Sequence, residues 1–313
     1  MANATVSRFG SDNGGSDKTA LFLKVFAGEV LTAFATANVT MARHLVRTIA
    51  SGKSAQFPAS WKGTAGYHTP GTELVGSTVA HSERVITLDD LLVADRFIAS
   101  IDEAMNHFDV RSIYSRDIGM ALADTFDKNV LQVMILAARS ATTVTGGNGG
   151  TRLADSAIAT TALEAACFDA AQALDEKDVP MNDRSLFLKP SEYYYLLQNS
   201  TKVINRDYNP LPNGGYATGE LKQIAGLDIV KTNHMPSTDI TTGPTAYQGD
   251  FTTVVGVVTS PYAAGTVKLI DLSLEQEYDI RRQGTLMLGK YAVGHGVIRP
   301  ECAVELTSDA SKS

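Results

Sequence analysis

An α+β fold is predicted by three features of the sequence: one helical stretch long enough to span a domain, a run of strands that closes the chain, and a glycine-rich hairpin between extended segments. The helical stretch is residues 109–140. Ile118, Leu122, Phe126, Val130, Met134 and Ala138 recur every fourth residue, and Ala123, Val133 and Ala137 widen that stripe. Arg116, Asp117, Asp124, Lys128, Gln132 and Arg139 take the other side. Asp109 can cap the start, Asp124 and Lys128 stand at i,i+4, and no proline intervenes before Pro180, so the helix extends for roughly 45 Å at about 1.5 Å per residue. Gly119 is its weak point, costing about 1 kcal/mol relative to alanine.

Ahead of this spine, residues 1–16 are rich in Gly, Ser, Asn and Asp and read as a mobile tail. A second amphipathic helix follows Asp17, with Phe22, Phe26, Val30 and Phe34 at four-residue spacing; lying between a tail and a polar extended segment, it suits an arm that docks on something else. Alternation from Val39 to Ala50 reads as a strand. Residues 51–84 hold Gly52, Pro58, Gly63, Gly66, Pro70, Gly71, Gly76 and the single tryptophan, Trp61, with little aliphatic material. Flanked by the extended runs 39–50 and 81–88, they describe a long projecting hairpin, a loop length that is normally functional or disordered. Glu83–Phe97 reads as one strand, and Ser100 with Glu103 forms a capping box for a short helix, residues 101–108.

Beyond the spine, TTVTGGNGG (142–150) reads as a flexible connector and a domain boundary. A compact α/β unit follows: a helix over 157–177, a strand at 184–189, a helix capped by Ser191 and carrying Tyr193–Tyr195, a Pro/Gly loop at 210–215 and a strand at 226–231. Strands then dominate, at 251–259, 265–278, 284–291 and 296–305, with His295 between Gly294 and Gly296 reading as a turn. Arg281, Arg282 and Lys290 among Glu275, Glu277 and Asp279 form a mixed-sign patch typical of an interface.

Composition excludes several functions. At 313 residues, 44% hydrophobic and 19% charged, the chain buries a substantial core. A formal charge of -7 with no basic run argues against gripping nucleic acid through phosphates. Cys167 and Cys302 are isolated and read as small buried hydrophobes in a reducing compartment. No uncharged run is long enough for a membrane span, so a soluble protein is expected. Ser51-Gly52-Lys53-Ser54 resembles the end of a phosphate loop, but Arg47 stands where that motif needs glycine and Pro58 denies it a following helix. The six histidines fall into no metal-ligand spacing, no nucleophile elbow is present, and the carboxylates are scattered, so neither metal, cofactor nor catalysis is expected.

The blocks LFLKVFAGEVLTAFA (21–35), SGKSAQFP (51–58), ERVITLDDLLVAD (83–95), IDEAMNHFDVRS (101–112), GTVKLIDLSLE (265–275) and KYAVGHGVIRPE (290–301) are similar to the major capsid proteins of short-tailed, T7-like phages, which have the HK97 fold. The resemblance runs from about residue 18 to the C-terminus. It implies an N-terminal arm (1–50), an E-loop (51–84), a peripheral P-domain with the spine helix (85–145) completed by return strands (265–313), and an axial A-domain (146–264). It further implies a homo-oligomer of hexamers and pentamers in an icosahedral head around double-stranded DNA, assembled in the host cytoplasm on a scaffolding protein with a portal at one vertex. Subunit contacts are expected on the arm, at Phe22, Phe26 and Phe34, and on the loop, at Lys53, Phe57, Trp61, Tyr67 and Pro70. A cellular, encapsulin-like shell of the same fold is the alternative.

Overall fold

The computed structural model describes residues 38–312 apart from 61, 62, 64, 74, 75, 77, 106–109, 201–212 and 216; the expected tail and arm helix lie outside the described residues. In chain order the elements are a 3-10 turn (Met41–Arg43), β1 (Leu45–Thr48), β2 (Ser54–Ser60), β3 (His81–Thr87), β4 (Leu92–Ala99), α1 (Ser100–Met105), α2 (Val110–Ala138), β5 (Thr151–Ala154), α3 (Leu163–Glu176), β6 (Ser185–Leu188) and α4 (Pro190–Asn199). There follow the short β7 (Gly214–Gly215), β8 (Glu220–Leu221) and β9 (Gln223–Ile224), then β10 (Leu227–Lys231), β11 (Asp239–Ile240), β12 (Gly249–Asp250), β13 (Val254–Thr259), β14 (Ala264–Asp279), β15 (Gly284–Val297) and β16 (Ala303–Thr307). The chain divides into two compact units, and the division crosses α2 between Phe126 and Asp127 instead of falling in the glycine-rich stretch after it.

The first unit contains Asp89–Phe126 and Lys268–Val293. Here β15 runs antiparallel to β4, with Gly284 opposite Ala99 and Tyr291 opposite Leu92. The four-residue stripe at the start of α2 supplies Ile118 and Leu122, which pack with Ile98 and Met287, while Leu92, Ala94 and Tyr114 border the cluster. Gly289 is where the helix meets the strand: a Cβ there would lie 2.5 Å from Ile118 Cγ2 and 2.9 Å from Leu122 Cδ1. The Phe126 and Tyr291 rings lie 5.8 Å apart. The exposed Arg96–Asp117 ion pair, at 2.8 Å, adds less than about 1 kcal/mol.

The second unit contains Val39–Leu88, Asp127–Val267 and Gly294–Ser313. Its six-stranded sheet has the order β5-β16-β13-β6-β10-β9, parallel where β10 meets β6 and β16 meets β5, and antiparallel where β13 meets its two neighbours. Every residue of β6, β13 and β16 is buried, which requires cover on both faces; β6 and β13 are largely apolar, whereas β16 carries Glu305 and Thr307 inside. Leu163, Cys167, Ala170 and Leu174 of α3 join Tyr193, Leu196 and Leu197 of α4 and the strand residues Leu186, Leu188, Val258, Val304 and Leu306 in one core.

Several expectations are corrected here. From Val130 onward α2 is buried at every position but the half-buried Leu136, Gln132 included, because VLQVMILAA has almost no polar residue to keep in water; the expected polar face ends at Lys128. Arg139, also assigned to that face, turns inward to an ion network. Residues 142–150 form a close-packed turn: Val144 is buried, Gly150 N–H donates to Ser140 O at 2.9 Å, and a Cβ on Gly150 would lie 2.3 Å from Ala138 O. Residues 83–97 split at Leu88–Leu91 into β3 and β4, and β2, not residues 39–50, partners β3. The helix expected from 157 begins at Leu163, and Lys189, with Pro190 at the first helical position, caps α4 in place of Ser191. The strand expected at 284–291 runs on to Val297 as β15, with His295 buried inside it, and the one expected at 296–305 is divided between the end of β15 and β16.

The ion network is centred on Glu305 of β16, whose side chain is fully buried. Arg139 donates to it through Nε at 2.8 Å and Nη2 at 2.6 Å, and Arg152 through Nε at 2.9 Å. Arg139 also donates through Nη1 to Asp250 O at 2.7 Å and stacks 5.2 Å from the Phe251 ring centroid. Removing one partner of a buried pair strands the other's charge, so Glu305→Gln is expected to lose about 3–5 kcal/mol of subunit stability by denaturant titration. Gly119→Ala is expected to gain about 1 kcal/mol in the same assay, since a Cβ at Gly119 meets no atom within 4 Å.

Candidate assembly interface

The projecting hairpin begins as a two-stranded ribbon in which Ser54 faces Thr87 and Ser60 faces His81. Alternation along SAQFPAS turns Ala55 and Phe57 to one side, and Ala55 stands opposite Ile86 of β3. These three side chains form a small core of their own with Val267 and Ile298, bordered by Ile49 and Leu88. The root is closed by Leu88 N–H donating to Lys53 O at 2.8 Å. Arg47 donates through Nη1 to Gln56 O at 2.8 Å and lies 5.7 Å from the Phe57 ring centroid, and Arg84 Nε reaches Thr143 Oγ1 at 3.3 Å.

The Gly-His-Gly of β15 lies under this root. A Cβ on Gly294 would stand 2.1 Å from Thr87 O, and one on Gly296 would stand 2.9 Å from Ile86 Cγ1. Only glycine lets the hairpin base cross the strand this closely. Ser51–Ser54 leads into β2 and not into a helix, so the phosphate-loop resemblance has no structural counterpart.

Beyond Ser60 the ribbon changes character. Among the described residues between Ser60 and His81 there is no strand or helix, only a turn in which Thr72 N–H donates to Thr69 O at 3.2 Å. Tyr67 is fully exposed, and Pro70 is exposed as well. Val79 and Val85 also face solvent.

Of the sequence-derived contact residues, Tyr67, Pro70 and Lys53 are exposed. Phe57 is a correction: it is buried in the root core of its own subunit and is spent on holding the hairpin. Phe22, Phe26, Phe34 and Trp61 lie outside the described residues. Sequence reading missed Ile86, Val267, Ile298 and the two glycines as the seat of the hairpin; the alternation of Ala55 and Phe57 was the signal for a buried side. As expected, Cys167 and Cys302 are buried, and burial pushes both thiols up to about 12, leaving them protonated and inert at neutral pH. Among the described residues no group of three His, Cys, Asp or Glu is placed to hold a metal ion, and no described helix is long and apolar enough to cross a membrane.

A spine helix, return strands, a second mixed-sheet unit and a rooted hairpin with an exposed tip define a subunit of an HK97-like capsid shell. The family of Gp10A-like major capsid proteins matches residues 56–307. The major capsid protein of Escherichia phage T7 is 36% identical, with 92% of this chain and 91% of that one covered. That of Enterobacteria phage T3 is 35% identical, covering 94% and 93%. The capsid structure of cyanophage P-SCSP1u has a TM-score of 0.81 and 45% identity, covering 98% of this chain and 99% of its own. The mature capsid of bacteriophage PhiM1, at a TM-score of 0.74, 20% identity and 91% of both chains, shares the fold. The chain belongs to the Gp10A-like major capsid protein family and is a structural subunit of a multimeric virion shell; a cellular encapsulin-like shell is not favoured.

Two substitutions separate root from tip. Phe57→Ala is expected to cost about 3–5 kcal/mol in subunit unfolding. Tyr67→Ala is expected to change it by less than about 0.5 kcal/mol, because the ring touches water on all sides.

Proposed function

We propose that this chain forms the hexamers and pentamers of an icosahedral phage head that encloses double-stranded DNA, with the exposed tip of the E-loop and the N-terminal arm as its contacts to neighbouring subunits. The observation that carries this reading is the division of the hairpin into a root packed in its own subunit and a tip with exposed aromatic and proline side chains. On this reading the arm (1–50) contributes Phe22, Phe26 and Phe34, and the E-loop (51–84) contributes Lys53, Trp61, Tyr67 and Pro70, while Phe57 keeps the loop seated. Residues 85–145 and 265–313 form the P-domain and residues 146–264 the A-domain. Assembly takes place in the host cytoplasm on a scaffolding protein, with a portal at one vertex.

The charge supports enclosure without gripping. A chain of net charge -7 repels the phosphate backbone at long range, so the genome is retained by closure of the shell and not by affinity for its wall. The role is structural, without a catalytic step. Lys62 stands on the E-loop, where some shells of this fold form a lysine–asparagine isopeptide bond; this shell is proposed to mature without it, and boiled, reduced shells should give a single band on a denaturing gel.

Replacing residues 61–79 by Asn-Gly tests the contact assignment. The β2–β3 root and its core remain, so calorimetry should show a folded subunit with nearly unchanged stability, while sedimentation should show no closed particles. Particles of normal size would remove the E-loop assignment. A large loss of subunit stability would show that the tip belongs to the core.

A further inference from the structure

The chain enters the second unit at Val39, and its first residues there are tied down by buried side chains from other elements. Asp127 of α2, with no exposure, accepts Val39 N–H on Oδ2 at 3.0 Å, and on Oδ1 it accepts Thr40 N–H at 3.3 Å and the Thr40 hydroxyl at 2.5 Å. Four residues on, His44 has Nδ1 at 2.7 Å from Thr40 O and Nε2 at 2.7 Å from Thr266 Oγ1. Thr266 Oγ1 in turn lies 2.8 Å from His295 Nδ1, and His295 N–H donates to the Tyr247 hydroxyl at 3.2 Å. Thr40, His44, Thr266 and His295 are all buried.

One group fixes the hydrogens of this relay. The Thr40 carbonyl can only accept, so His44 Nδ1 carries the hydrogen and its neutral Nε2 must accept. The Thr266 hydroxyl therefore donates its single hydrogen to His44, and its oxygen accepts from His295 Nδ1–H. The direction His295 to Thr266 to His44 to Thr40 holds while His44 is neutral; a proton on His295 Nε2 leaves its Nδ1–H donation in place and adds a buried charge. A proton on His44 Nε2 turns that nitrogen from acceptor to donor, so the Thr266 hydroxyl loses the acceptor for its hydrogen and must turn, and it places a charge in a dry site.

We propose that the His44–Thr266–His295 relay is an acid-released latch that holds residues 39–45 against the second unit, so that protonation of its imidazoles frees this stem while the six-stranded sheet stays folded. The titratable groups facing it are Asp127 from α2, Tyr247 from a second 3-10 turn (Thr245–Tyr247), and each imidazole for the other; Arg43, next to His44, bonds the Val39 carbonyl at 3.3 Å. Burial holds His44 below its usual value against the opposing pull of the Thr40 carbonyl and Asp127. Burial, with His44 nearby, pushes His295 down to about 3. Both closed-state values lie below the solvent value, so the latch is fully stable above about pH 6.5 and loses stability progressively as pH falls from there toward about 3. His44 leaves with the stem, and an imidazole that regains its solvent value on release shifts the opening equilibrium by up to about tenfold by pH 5.5.

The consequence of release in a shell rests on the arm reading proposed above, whereas the test does not. Hydrogen exchange on the unassembled full-length subunit, normalised to intrinsic rates, follows the amides of Thr40, Arg43 and Leu45 from about pH 7.5 to about pH 4.5, with Val257 and Val258 of β13 as the reference. The expected result is loss of protection at the stem of about tenfold by pH 5.5, with the β13 amides unchanged. The double substitution His44→Gln/His295→Asn, which removes both titrating rings, should flatten that profile. Stem protection that is independent of pH, or that falls in step with β13, would overturn the latch, as would an unchanged profile in the double variant. Should the variant not fold, the wild-type comparison of stem with β13 decides alone.

Discussion

The structure depends on one constraint: α2 has to satisfy two different environments along a single unbroken helix. Its first half carries an apolar stripe only, Ile118 and Leu122 toward β15 and β4, with Asp117 left to water. Its second half, from Val130, is apolar nearly all round and is buried at every position but Leu136. A helix of 29 residues with no proline can carry this change without a break, so both compact units are built around the same backbone. The glycines of β15 answer to the same demand for closeness, Gly289 beneath the helix stripe and Gly294 beneath the hairpin root.

Burial on this scale requires that the charged groups inside be paired. Glu305 would be prohibitively costly in a dry strand without the bidentate Arg139 and the additional Arg152. Asp127, also fully buried, is satisfied by two backbone N–H groups and a hydroxyl at the point where the chain enters the second unit. The His44–Thr266–His295 relay is built the same way, with every hydrogen assigned by a single carbonyl. These networks give direction where hydrophobic packing alone would not, since hydrogen bonds require particular placements of donor and acceptor.

The hairpin shows how such a subunit keeps its contact surface apart from its stability. Ala55, Phe57 and Ile86 root it in the subunit, and nothing comparable anchors Tyr67 or Pro70. A loop that had to be stable alone would bury those side chains internally. Left exposed, they are available to a neighbour, which suits a protein whose function is to close a shell with copies of itself.

Local patterning in the sequence determined much of this protein. The four-residue recurrence in 109–140 required a long helix, the unbroken apolar runs of β6 and β13 required a sheet covered on both faces, and the lack of aliphatic residues in 61–80 required a loop without a core. Periodicity is a property of neighbouring residues, and it survives without any knowledge of the fold. What only the tertiary structure decided is where side chains of mixed character go. Gln132 and Arg139 turn inward because a buried carboxylate and close packing await them, and Phe57 serves the root because Val267 and Ile298, more than two hundred residues away, complete its pocket. Gly294-His295-Gly296 reads locally as a turn and is a strand, because the glycines answer to a hairpin that crosses them. Such choices depend on contacts distant in sequence, and no local pattern records them.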